Sequence, residues 1–116
     1  MQSDNPLRTR TKQFALRVMK LVDALPNTRA GDVIGRQLLR AATSVGANYR
    51  AAKRGRSRAE FCAKLGIVEE ECDECSYWLE LLCESGIVAS EALDDLMREA
   101  HEITAMVVAS IRTARD

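Results

Sequence analysis

Proline and aromatic residues are scarce in this chain of 116 residues, which has two prolines, Pro6 and Pro26, and 4% Phe, Trp and Tyr. With so few breakers, and with Ala, Leu, Glu and Arg abundant, the composition favours helix. No segment shows the alternating pattern of a strand, and no internal repeat is present. No apolar run approaches the ~20 residues that span a bilayer, and the polar first residues do not read as a signal peptide. There is one histidine, His101, and one Cys-x-x-Cys pair, Cys72 and Cys75, with no second pair to complete a zinc site. The four cysteines read as reduced thiols of a cytoplasmic protein. A chain this long forms one domain that buries roughly 65% of its unfolded surface.

Acidic residues are absent from Arg36 through Arg58, although the whole chain has a formal net charge of zero. Residues 1–64 carry 14 Lys and Arg against 4 Asp and Glu, whereas residues 65–116 carry 3 against 13. A balance of +10 facing −10 suits a polyanion-binding face, or head-to-tail association of unlike faces. Neutralisation between helices of one bundle accounts for it equally well.

Hydrophobic periodicity places a first helix from Thr11 to Leu25, with Phe14, Val18, Leu21, Val22 and Leu25 inward. Pro26 ends it, and Asp32 is the expected cap of a second helix from Val33 to about Arg54. Ile34, Leu38, Ala41, Val45, Tyr49 and Ala52 share that helix's inner face, with Gly46 suited to close packing and Gly55 to the C′ position. Ser57-Arg58-Ala59-Glu60 is a capping box for a third helix from Arg58 to about Glu84. Its stripe of Phe61, Leu65, Val68, Cys72, Cys75, Leu79 and Leu82 is widened by Ile67, Trp78 and Leu81. Ser90 is the expected cap of a last helix reaching about Thr113. The result is an all-α, antiparallel up-and-down four-helix bundle over residues 11–114, preceded by a flexible tail over residues 1–10.

Catalytic constellations are missing. Cys72, Cys75 and Cys83 fall within an arc of about 80° shared with core residues, so they read as small hydrophobes. Most carboxylates of the third helix face away from that core, while Glu71 lies at its edge, within reach of an ion pair with Arg40. Asn48 lies near the apolar face of the second helix, where a polar amide reads as a structural clamp. Arg50, Lys53, Arg54, Arg56 and Arg58 put five cations into nine residues at the junction of helices two and three. That density suits contacts to a phosphate backbone, and with only Tyr49 nearby for stacking such binding would be salt-sensitive and indifferent to sequence. A solubilising corner that complements the helix dipole is the alternative.

The run Arg40-Ala41-Ala42-Thr43-Ser44-Val45-Gly46-Ala47-Asn48-Tyr49-Arg50, followed by Ser57, Glu60, Phe61 and Leu65, resembles the 23S rRNA intervening-sequence family. That family of four-helix-bundle proteins is in turn similar to the accessory variability determinants of diversity-generating retroelements. The resemblance runs from about Phe14 to Ile111. Where many members read I-A-E-G after the asparagine, this chain has Tyr49-Arg50-Ala51-Ala52, exchanging an acid for a cation. The resemblance implies a bundle assembled into a ring, usually a pentamer. It implies nucleic-acid or ribonucleoprotein association and supplies no catalytic residues.

The expectation is therefore a non-enzymatic, cytoplasmic homo-oligomer without cofactor, metal, membrane or small-molecule partner. It would bind RNA or DNA through Arg50, Lys53, Arg54, Arg56 and Arg58, with Arg36 and Arg40 extending the surface. The competing expectation is a protein-interaction adaptor whose charges serve only self-assembly or a protein partner.

Overall fold

The structure, a computed structural model, describes residues 5–116. Four helices follow in order, α1 (Pro6–Asp23), α2 (Arg29–Lys53), α3 (Arg58–Glu84) and α4 (Ser90–Arg115), with no strand among the described residues. Helix α2 packs on α1 and α3, and α4 packs on α3 and α1. The body measures 45 × 26 × 19 Å. Its long dimension is set by α3, whose length corresponds to about 40 Å of helix.

Helix α1 starts five residues before the expected Thr11. Pro6 occupies the first turn, where its fixed φ and missing N–H cost nothing, and the Arg8 N–H donates to Asn5 Oδ1 at 3.4 Å. Leu7 and Thr11 are buried, continuing the stripe of Phe14 and Val18 toward the N-terminus. Residues 6–10, read from the sequence as part of a flexible tail, are thus helical; residues 1–4 of that tail lie outside the described residues.

Helix α2 also starts early. Thr28 is its cap, accepting from the Gly31 N–H at 3.0 Å, and the expected cap Asp32 lies inside the first turn, where its charge favours the positive end of the helix dipole. Helix α3 has the expected bounds. Ser57 Oγ accepts from the Glu60 N–H at 3.0 Å, while the Glu60 carboxylate reaches the Arg56 N–H at 3.1 Å rather than that of Ser57. Gly86, with φ of 78°, closes α3 in the left-handed conformation that suits glycine. Gly55 does not have that geometry; it sits at a close approach, where an added Cβ would lie 3.2 Å from the Phe61 nitrogen. Helix α4 has Ala89 in the cap position without a side-chain bond, so Ser90 is its first helical residue and not its cap.

The core is apolar and continuous through all four helices, centred on Phe14, Leu38, Leu65, Leu79, Leu82, Leu93 and Ile103. Cys72 and Cys75 belong to it, as their spacing with Leu65 and Leu79 suggested, whereas Cys62 and Cys83 are half-buried. Burial pushes the Cys72 thiol up to about 12, and that of Cys75 further still, so both stay protonated at neutral pH. Ile67 and Tyr77 on α3 and Leu16 and Met19 on α1 remain exposed.

Candidate nucleic-acid interface

Arg50 and Lys53 stand in the last turn of α2, Arg54 caps it, Arg56 lies in the connection and Arg58 opens α3. All five side chains are exposed. Among the described residues none of them takes part in an ion pair. The sharp α2–α3 connection therefore crowds five uncompensated cations at one end of the bundle, where their potentials add.

Arg36 and Arg40, unlike the junction cations, are ion-paired. Arg36 Nε is 3.1 Å from Asp32 one turn before it. Arg40 reaches α3, where its guanidinium pairs with Glu71 at 3.4 Å and with Glu74. The Trp78 indole N–H donates to the same Glu74 carboxylate at 3.0 Å. That bond, and the Arg40 guanidinium after it, hold the Glu74 carboxyl below its usual range. The pair with Glu71 was foreseen from position; the stronger partner Glu74 was not. Arg40 is thus a clamp between α2 and α3.

A second clamp joins the other helices. Arg10 of α1 makes a fork to Glu99 of α4, with bonds of 2.9 and 2.6 Å, and reaches Glu102 at 2.6 Å. Neutralisation within the bundle therefore accounts for Arg10, Arg36 and Arg40, and leaves the junction cations untouched. Asn48 bonds locally: its amide N–H group donates to the Ser44 carbonyl at 2.9 Å and to Ser44 Oγ at 2.8 Å. It clamps its own helix rather than a neighbouring one. His101 is exposed on α4.

The sequence reading missed two cations. Arg8 and Lys12 of α1 line a groove against α2, because the early start of α1 brings them beside the C-terminal half of that helix. One recess of about 120 Å³ is lined by Arg8, Arg50, Lys53 and Arg54 with Asn5 and Tyr49. A second, of about 240 Å³, shares Arg8 and Arg50 with it and adds Lys12, with a floor of Thr11, Ala15, Thr43, Gly46 and Ala47. The signal was present: Asn5-Pro6 is a helix start, and Leu7, Thr11, Phe14 and Val18 keep helical spacing.

Among the described residues, no helix is long and apolar enough to cross a membrane. The sequence model of the 23S rRNA-intervening sequence protein family matches residues 4–109. A crystal structure of a protein of unknown function from the S23 ribosomal protein family of Bacteroides thetaiotaomicron VPI-5482 is 34% identical, with a TM-score of 0.85. The alignment covers 90% of this chain and 97% of that one. No curated protein matches the chain. By a family match over most of its length and a shared fold, the chain belongs to the 23S rRNA-intervening sequence protein family.

Proposed function

We propose that this chain is a non-enzymatic, cytoplasmic bundle protein that assembles into a homo-oligomeric ring and binds nucleic acid through its phosphates. One observation carries the reading: Arg50, Lys53, Arg54, Arg56 and Arg58 are exposed together and stand outside every ion pair among the described residues. A surface that binds a polyanion needs such uncompensated charge, since each phosphate contact releases condensed counterions.

The helices run antiparallel, up and down. Supporting this, Gly35 faces Val22 and Leu25 while Gly46, further along α2, faces Thr11, earlier in α1. The ring rests on apolar side chains that one copy leaves uncovered, Leu16 and Met19 on α1, Val33 on α2, and Ile67 and Tyr77 on α3. Five copies is the number the family resemblance implies. A heterologous contact between a basic and an acidic face suits such closure. Binding of structured RNA and duplex DNA across a salt series, wild type beside Arg50/Arg54/Arg56/Arg58→Ala, tests the nucleic-acid reading.

A further inference from the structure

We infer that the groove between α1 and α2 seats the backbone of a single nucleic-acid strand, an inference that rests on the nucleic-acid reading above and adds a substrate class to it. The two recesses meet at Arg8 and Arg50, so they form one trough. Cations stand on both walls, Arg8 and Lys12 on α1 and Arg50, Lys53 and Arg54 on α2, and no carboxylate lines it among the described residues. Its floor of Thr11, Ala15, Thr43, Gly46 and Ala47 carries only small, uncharged side chains, which leaves the trough open.

Shape selects the strand. The two recesses hold about 240 and 120 Å³, room for the sugar–phosphate chain of one strand, whereas a duplex, whose major groove alone is about 12 Å wide, rests across their rims. From Thr43 to Arg54 the wall of α2 rises about 16 Å, enough for a few nucleotides. A positive groove that tracks the backbone is one of the two features of proteins that hold single strands without reading their sequence, stacking aromatics being the other. Tyr49, the one aromatic side chain in the trough, is 5% exposed and its hydroxyl bonds Asn5, so it offers no face for base stacking. Recognition is through phosphate alone. A duplex, by contrast, stays at the rim, where Arg50, Arg54, Arg56 and Arg58 of the junction meet its phosphates.

Ala47→Leu fills the trough without changing charge at a position that is exposed in the free chain. The probes are a mixed-sequence single-stranded RNA 12-mer and the same sequence as a duplex, with circular dichroism confirming the fold. The substitution is expected to weaken single-strand binding by about tenfold or more, a loss of about 1.4 kcal/mol, and to leave duplex binding unchanged. Replacing Arg8 and Lys12 together by Gln is expected to flatten the single-strand log K against log salt slope by about 1.4, at 0.7 per contact, and to spare the duplex slope. Equal effects on both probes, or none, overturn the groove while leaving the junction reading intact. Failure of wild-type protein to bind either probe overturns the nucleic-acid reading, and this inference with it.

Discussion

The Tyr49 hydroxyl donates to Asn5 Oδ1 at 2.7 Å, bridging 44 positions of sequence. The same oxygen accepts the Arg8 N–H at 3.4 Å, so one amide caps α1 and ties the end of α2 to it. Tyr49→Phe keeps the ring and removes the donor, and is expected to cost about 1 kcal/mol in denaturant unfolding. Asn5→Ala removes the cap as well and is expected to cost about 1–2 kcal/mol. The double variant should lose less than the sum, because both changes break one bond. Strict additivity would contradict the shared role.

Alkaline pH should destabilise the fold. Burial holds the Cys72 thiol near 12 against an ordinary value of 9.0, and raises Cys75 and Tyr49 in the same direction. Above pH 9 the unfolded chain releases thiol protons that the folded chain keeps, so stability present below that pH falls as pH climbs toward 12. Denaturant midpoints measured from pH 7 upward should be level and then decline. A profile that stays level through pH 11 would place these thiols outside the core.

Gly46 is open to a methyl group. An added Cβ would lie 3.4 Å from Thr11 Oγ1 and 3.7 Å from its nearest carbon atoms, ordinary contact distances, so the close packing of α1 does not require glycine there. Gly46→Ala should raise stability by up to about 1 kcal/mol through helix propensity. A loss of stability would show that α1 and α2 approach more closely than these distances.

Arg40→Ala and Arg36→Ala should leave nucleic-acid affinity and its salt slope unchanged, since Glu71, Glu74 and Asp32 already hold these charges. Half-exposed pairs contribute little, so the stability cost of either change should stay within about 1 kcal/mol. A flatter slope in Arg40→Ala would return it to the binding surface.

Ring assembly is checked by light scattering. The wild-type chain should be a closed oligomer, and Leu16→Asp combined with Ile67→Asp should dissociate it, because both side chains are exposed on a single copy. A wild-type monomer at micromolar concentration would contradict the ring.

The parts of this fold that are local in sequence could be read from it. The Ser57–Glu60 box gave α3 its first residue, and helical spacing the core membership of Leu38, Val45, Leu65, Cys72, Cys75 and Leu79. The start of α1 was obscured because its first turns are mostly polar, with Leu7 the one large apolar side chain between Asn5 and Thr11. Ser90 looked like a cap by residue type, yet the helix begins one residue sooner than a Ser90 cap would allow. The basic run from Arg50 to Arg58 was legible because it is local in sequence, and its surroundings were illegible because they depend on distance. Arg8 and Lys12 come beside the junction cations, and Arg40 comes to pair with Glu74, only through packing of α1 and α3 against α2.

The most direct measurement is the salt dependence of duplex DNA and structured RNA binding by the wild type and by Arg50/Arg54/Arg56/Arg58→Ala. Each lost phosphate contact on a duplex should flatten the log K against log salt slope by about 0.9, so loss of all four should flatten it by about 3.6. A steep wild-type slope that flattens in the variant is the expected result. A wild-type protein that binds neither probe at low salt would contradict the reading and assign the basic junction to assembly or a protein partner.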